Sequence, residues 1–440
     1  DTDGTNAKYS GLRIYLREGL GVGQYGYISS YDPASKIAQV SRESDDSAGW
    51  DHINPGWPIE TLLSTNTRYS LEPRVTFSDH PLSATSVNAP SSDSWEHVIW
   101  FPAGNHYVAF TSGPTVLSSH STDGVTWSTP ATRLTSKTVS KVVSDTNGSR
   151  ILICTSAGVY GFTTAMLSNS NTPSAINPSF TAVDVDGAAI KEGTSNFAYG
   201  SNTHQLSYTT NLSSITAVTP TGSSSGGTHA YKRVSYGAGV GDATNGAFVA
   251  INEGTAGGHA VSTDLGANWT QYDAGSTGRL PVGYTDIKFG NGRFVAIDPG
   301  GVSTLTKTAI SFDGITWYEH SIPGATDYLY IEYGGGTFMA IGTGTQIAKS
   351  QDGAVWRTTS DDSTDFNATE SATWTAQAYS PTLQKWSIIS SSNNNWNTVT
   401  GWGAKPFARA VVASDKINEF LIYEPGSQYA STPTVTVYDS

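Results

Sequence analysis

Ser262-Thr263-Asp264-Leu265-Gly266-Ala267-Asn268-Trp269 decides the fold of this chain, because the chain repeats it. One residue shorter, it returns as Ser121-Thr122-Asp123-Gly124-Val125-Thr126-Trp127, as Ser311-Phe312-Asp313-Gly314-Ile315-Thr316-Trp317 and as Ser350-Gln351-Asp352-Gly353-Ala354-Val355-Trp356. The residue types have a joint physical role. Ser and Asp side chains cap backbone N–H groups inside a tight hairpin, Gly accepts positive φ, and Trp buries its ring beneath the turn. Ser121, Asp123, Gly124 and Trp127 are therefore expected to be structural. So are Ser262, Asp264, Gly266 and Trp269, then Ser311, Asp313, Gly314 and Trp317, then Ser350, Asp352, Gly353 and Trp356.

The aspartates are separated by 141, 49 and 39 residues, and the long interval is three times 47. Two units that have lost the Ser-x-Asp turn are expected inside it. A second element, a glycine-rich or polar turn feeding an apolar strand, keeps the same period: Gly104–Phe110, Gly148–Cys154, Thr194–Gly200, Gly246–Ile251, Gly290–Ile297, Gly335–Ile341 and Gln384–Ser390. Seven strand elements spaced by roughly 40–50 residues match blade-sized repeats. The expectation is an all-β, seven-bladed β-propeller over 86–404. It is flanked by an N-terminal β module at 1–85 and a C-terminal β segment at 405–440, the latter read as the start of a further module.

Composition agrees with many short strands and tight turns: charged residues are only 14% and aromatics 11% of 440 residues. No window sustains an apolar period of 3.6, and no run of 18 apolar residues exists. A net charge of −13 without any basic run argues against nucleic acid as a partner, and no membrane is implied. Cys154, the single cysteine, follows Ile151-Leu152-Ile153 and reads as a small buried hydrophobe. The chain begins at Asp1 and stops directly after the strand-like Thr434–Tyr438, as expected of a segment of something longer.

The Ser-x-Asp-(x)-Gly-x-x-Trp unit resembles the Asp box of sialidases and other β-propellers. The flanks carry a different resemblance. Gly21-Val22-Gly23-Gln24-Tyr25-Gly26-Tyr27-Ile28, with Thr67-Arg68-Tyr69-Ser70-Leu71 further on, is similar to a small β module of tailed-bacteriophage virion proteins. Pro425-Gly426-Ser427-Gln428-Tyr429 leading into Pro433-Thr434-Val435-Thr436 resembles a second motif, found in cyanophage structural proteins. Together these resemblances imply a virion structural protein of tail, baseplate or fibre, located on the particle. Its partners would be other virion proteins held through 1–85 and 405–440, and symmetric homo-oligomerisation would be compatible with that role.

Two enzymatic alternatives stand beside it. A sialidase-like glycosidase requires three arginines from separate blades and a Tyr activated by a Glu. Arg279-Leu280-Pro281 matches an arginine motif of that family in type but not in position, and Glu332-Tyr333 would face opposite ways along a strand. A two-carboxylate glycosidase could draw on Asp184, Asp186, Glu192, Glu253, Asp286, Asp298, Glu319 or Glu332, and no spacing singles out a pair. No catalytic residue is assigned, and the chain is expected not to be an enzyme. A host assembly-factor propeller is the third alternative, although it would not carry the flanking modules.

No cofactor or metal is expected. Asp1-Thr2-Asp3-Gly4 and Asp184-Val185-Asp186-Gly187 open like calcium loops but lack the later Glu, and Asp361–Asp365 is another acidic turn. The polar, aromatic loops around 223–231, 254–259 and 327–330 suit sugars, since a ring stacks on an apolar sugar face while amides read the hydroxyls. His229, Tyr231, His259, Tyr328 and Tyr330 are thus the candidate positions for binding a host surface polysaccharide without hydrolysing it.

Overall fold

The computed structural model describes residues 13–18, 25–32, 34, 37–41, 68–72, 74–77, 83–144, 149–175, 187–191, 194–200, 205–212, 214–222, 229–240, 245–300, 306–322, 327–344, 347–350, 352–354, 356–358, 372–391, 395–400, 407–413, 416–424 and 435–438. The chain divides into two compact units, one of Asp1–His80 with Gly403–Ser440 and one of Pro81–Trp402. In the first, a four-stranded sheet runs in the spatial order Ile37–Ser41, Tyr25–Asp32, Arg13–Glu18 and Arg68–Glu72. Phe407–Ala413 and Lys416–Glu424 form a hairpin, and Val435–Tyr438 pairs antiparallel with Arg74–Phe77. The two flanks, read separately in the sequence, thus share one unit, and the second unit is inserted between its halves.

The second unit is a β-propeller of seven four-stranded blades. The first strands of blades 1 to 7 are Trp95–Phe101, Val139–Ser144, Gly187–Ile190, Tyr231–Gly237, Asp286–Gly290, Tyr328–Gly334 and Ala372–Ser380. They pack beside one another in cyclic order, the seventh against the first, so they are the innermost strands of a closed ring. All seven apolar strands expected from the sequence are the second strands of blades, and their alternating faces fill the spaces between blades. Cys154 is one of them, fully buried, with burial pushing its thiol up to about 12.

Blade 7 closes the ring. Its outermost strand is Ser83–Asn88, which comes from the other end of the unit and pairs antiparallel with Asn395–Thr400. Across the seam to blade 1, Trp396 meets Trp95 and Trp127 edge to face, with centroids 5.6 and 4.8 Å apart. Tyr107 Oη donates to the Lys385 carbonyl at 2.6 Å, and Thr398 Oγ1 to the Gly124 carbonyl at 2.7 Å.

The four Ser-x-Asp turns share one geometry. In each, the Ser hydroxyl donates to the Asp Oδ1 at 2.8–3.1 Å and accepts from the Gly N–H at 2.8–2.9 Å. Asp313 Oδ1 accepts two further N–H groups, from Ile315 and Thr316, at 2.8 and 2.7 Å. Gly314 sits at φ 75, and a Cβ there would lie 2.8 Å from a methyl of Val249 in blade 4. Each turn is therefore a plug pressed into the blade before it. Trp269, Trp317 and Trp356 are buried in cores shared with the preceding blade, through Leu206, Val261 and Ile310 respectively. Trp127 departs from the expectation. It is only half-buried at the seam, where its ring packs edge to face with Trp396.

Blade 3 carries a fifth plug that its letters conceal. Thr209 Oγ1 donates to Asn211 Oδ1 and accepts the Leu212 N–H at 3.0 Å, while Ser214 N–H donates to Asn211 Oδ1 at 3.2 Å. Leu212 takes the glycine position at φ 56 and is buried against Leu152, Cys154 and Val159 of blade 2. Left-handed backbone costs a leucine about 1–2 kcal/mol, and full burial of its side chain contributes about 1.5–3 kcal/mol, so burial wins. Blade 2 has a different device. Buried Arg133 of blade 1 donates to the carbonyls of Met166, Asn169 and Asn171, and thereby pins the turn after the third strand.

Two outcomes follow from the plugs. Trp269→Ala should destabilise the propeller by about 3–5 kcal/mol, and Trp127→Ala by clearly less, in denaturant unfolding; equal losses would contradict the plug geometry. Burial works against the charged forms of Asp123, Asp264 and Asp313, yet their N–H and hydroxyl donors outweigh it and hold all three below the usual carboxylate range. A carboxylate whose pKa falls on folding stabilises above its unfolded value of about 3.9 and loses that contribution as pH falls through its folded value. Asp313→Asn should therefore be less stable than the natural chain at pH 7, with the gap narrowing as the pH is lowered from about 5 to about 2.

Candidate functional site: the axial ring

The innermost strands share a feature that the plugs do not explain. In blades 1, 2, 4, 6 and 7 the first strand carries a β-bulge at the same place, one extra residue opposite the end of the second strand. Bulges re-aim side chains. The residue after each bulge pairs with the fourth residue of the second-strand repeat: His97 with Phe110, Lys141 with Cys154, Arg233 with Ile251, Tyr330 with Ile341 and Ala376 with Ile389. In the two blades without a bulge, Gly187 faces Gly200 and Asp286 faces Ile297. One turn of the ring is thus His97, Lys141, Gly187, Arg233, Asp286, Tyr330 and Ala376.

Three of these seven residues hand a contact to the next blade. His97 Nε2–H donates to the Val139 carbonyl of blade 2 at 3.2 Å. Arg233 Nε lies 3.8 Å from Asp286 Oδ1 in blade 5, and Asp286 Oδ2 accepts the Ile331 N–H of blade 6 at 3.0 Å. Below them Lys288 of blade 5 pairs with Glu332 of blade 6. The chain of contacts breaks twice. Lys141 precedes Gly187 and Tyr330 precedes Ala376, neither of which offers a polar side chain. Among the described residues, neither the Lys141 ammonium nor the Tyr330 hydroxyl has a hydrogen-bond or ion-pair partner.

The electrostatics couple these groups across the ring. Lys141, from blade 2, feels Asp286, Arg233, Lys288 and Glu332, all from blades 4 to 6 on the other side of the ring. Burial is the largest effect on it and lowers its pKa, with Arg233 and Lys288 adding to the fall and Asp286 and Glu332 opposing it. Burial also brings His97 down to about 4, so its imidazole is neutral at pH 7. Burial raises the pKa of Tyr330, where Asp286 and Glu96 act in the same sense and Arg233 opposes them.

The positions expected to bind sugars are not brought together. Tyr231, His259 and Tyr328 have no exposed surface and cannot meet a sugar. Tyr231 Oη donates to Gln271 Oε1. His259 Nε2 accepts the Trp317 Nε1–H at 3.2 Å and stacks on Tyr272; burial lowers its pKa to about 3. Tyr328 packs in the core between blades 5 and 6. These three are corrected from ligand positions to core. His229, half-buried, stacks on Tyr231 and contacts the Asn252 amide, and Tyr330 belongs to the ring. The loop 223–228 lies outside the described residues.

Apart from Asp286 and Glu332, which pair with Arg233 and Lys288 at the ring, the described carboxylates offered for glycosidase chemistry are dispersed. Glu253 pairs with Lys232, Asp298 caps the Gly300 N–H, and Glu319 accepts from Tyr284 Oη at 3.2 Å. Arg279 stacks over Tyr272 and donates to the Ile315 carbonyl. Asp184, Asp186, Glu192, Asp1–Gly4 and Asp361–Asp365 lie outside the described residues, among which no cluster of three or more metal-ligating side chains occurs. No described helix is long and apolar enough to cross a membrane.

No protein-family profile and no curated protein matches the chain. Solved structures that resemble it include YCF48 bound to D1 peptide, at 13% identity and a TM-score of 0.49, covering 72% of this chain and 96% of that one. YCF48 from Cyanidioschyzon merolae follows at 14% identity and a TM-score of 0.49, covering 72% and 98%. The expectation of a virion structural protein on a phage particle is corrected here. The similar solved structures are YCF48 chains and not phage components. The residues 21–24 and 425–434 that carried the phage resemblance also lie outside the described residues.

A histidine held neutral by burial stabilises the fold above its unfolded pKa of about 6.5 and loses that contribution as pH falls toward its folded value. His97 and His259 both do so, through about 4 and about 3. Unfolding free energy should therefore drop between pH 7.5 and pH 5, and the drop should be smaller in a His97→Gln, His259→Gln double variant. An unchanged pH slope would contradict the assignment.

Proposed function

We propose that the chain is a non-enzymatic binding scaffold that engages a protein partner at the end of the ring where the bulged strands begin. The observation that supports this is the placement of His97, Lys141, Arg233, Asp286 and Tyr330 at one repeat position, with five bulges directing residues of that position. A repeat fold leaves its equivalent positions free to differ, and here they differ in charge rather than in apolar size. The described carboxylates named for hydrolysis each serve a contact within the fold, so the general base and nucleophile of a glycosidase have no evident candidates among them. The acidic balance of −13 disfavours nucleic acid, which leaves protein as the macromolecular partner that suits this surface.

Affinity purification of the tagged chain from its source cells, alongside a Lys141→Glu, Arg233→Glu variant, tests the reading. A protein that copurifies with the natural chain and is lost from the folded variant is expected. Equal recovery of every partner by both, or release of reducing ends from polysaccharide by the natural chain, would contradict it.

A further inference from the structure

His106 and His120 lie on adjacent antiparallel strands of blade 1, His106–Thr111 and Thr115–Ser121. Val108 faces His120 across that ladder, so the two histidines are diagonal neighbours with their side chains on one face. Their rings meet at 67°, with centroids 5.2 Å apart. Both residues are half-buried, which leaves part of each within reach of solvent. Neither the plugs nor the axial ring uses them.

Each ring is held through its Nδ1. His106 Nδ1–H donates to the Gly104 carbonyl in the turn just before it. A carbonyl can only accept, so the lone pair of this imidazole sits on Nε2. His120 Nδ1 lies 3.0 Å from Ser128 Oγ, which also accepts the His120 backbone N–H at 3.1 Å. With Nδ1–H donating to that hydroxyl, and the hydroxyl proton turned to Ser119 Oγ 3.4 Å away, His120 presents its own Nε2 lone pair. Neither Nε2 has a hydrogen-bond partner among the described residues. Metal-binding histidines are commonly oriented in this way, one ring nitrogen donating to an oxygen and the other left open.

Charge decides which cations suit the pair. Burial is the largest effect lowering the pKa of His120, and His106 and Arg133 add to it, so the imidazole is neutral at pH 7. Arg133 gives its N–H groups to Ser118 Oγ and to three carbonyls, and it stays a cation near His120. Among the described residues neither imidazole is paired with a carboxylate. A hard cation such as Mg²⁺, which takes oxygen ligands, gains nothing here to offset Arg133. A borderline ion that bonds strongly to imidazole nitrogen does. Two imidazoles held through Nε2 by a tetrahedral ion, with bonds of about 2.0–2.1 Å, have their centroids about 5 Å apart, which is the spacing of this pair.

We infer that His106 and His120 together bind a divalent first-row transition-metal ion, of the zinc or copper kind, through their Nε2 atoms, with water completing its coordination. No third His, Cys, Asp or Glu joins them among the described residues, so the ion is exchangeable. The site belongs to the second and third strands of blade 1, and it goes beyond the scaffold reading without resting on it.

Calorimetric titration of the metal-free full chain with zinc chloride tests the inference. A saturable site is expected that weakens tenfold or more in His106→Asn and in His120→Asn, weakens less in Ser128→Ala, and is unchanged in His320→Asn on the outermost strand of blade 5. Magnesium chloride should not compete for it. Absence of saturable zinc binding by the natural chain, or equal affinity in both blade 1 histidine variants, would overturn the site. If those variants do not fold, the electron paramagnetic resonance spectrum of the natural chain with one equivalent of Cu²⁺ decides. Coupling to two imidazole nitrogens is expected, and coupling to one or none would overturn the proposal.

Discussion

A strand from one end of the propeller completes a blade begun at the other. Ser83–Asn88 pairs with Asn395–Thr400, and everything at the centre depends on that pairing. A ring of blades held only by side-chain contacts between neighbours could open at any interface, but one backbone ladder across the ends makes opening cost several hydrogen bonds together. The seam is also where the largest aromatic side chains collect. Trp95 and Trp127 converge on Trp396, with Tyr107 bonded to the Lys385 carbonyl. Closure brings blades 2 and 6 to opposite sides of one passage, so Lys141 and Tyr330 share the field of the same Arg233–Asp286 pair. The axial site is a property of the closed ring, since no single blade contains it.

The plugs act along the circumference as the ladder acts at the seam. Each Ser-x-Asp turn presses a backbone segment at positive φ into the blade before it, and the chain solves the same problem with three chemistries. Four turns use Ser, Asp and Gly; blade 3 uses Thr209, Asn211 and Leu212; blade 2 is pinned from outside by Arg133. Thr and Asn supply the same oxygens as Ser and Asp, and a leucine survives at positive φ because its side chain finds a pocket in blade 2.

The blade number was legible because strand and turn repeat together, at Phe294-Val295-Ala296-Ile297 and at Asp313 for instance. The fifth plug was not legible, because Thr209–Ile215 keeps the hydrogen-bonding oxygens while changing every letter of the motif. The ring was legible in principle and missed. Six of its seven residues directly precede an apolar residue of the inward strand, as in Arg233-Val234, Asp286-Ile287 and Tyr330-Ile331, but the spacing shows only once the second strands set the register. The aromatic loop residues misled for the opposite reason. Tyr231, His259 and Tyr328 sit beside glycine-rich or polar loops in sequence, yet each lies within or at the start of a strand whose neighbours enclose it. Local polarity marks where a loop lies and does not tell which side chains it hides.

Closure holds the ring together, and hydrogen exchange reads closure directly. Backbone amides of Ser83–Asn88 and Asn395–Thr400 should exchange as slowly as those in the second strands of blades 4 and 5, because opening the seam and unfolding the ring are one event. Rapid exchange in both seam strands, with blades 4 and 5 still protected, would show that the ring opens freely and that the axial site is not held together as described.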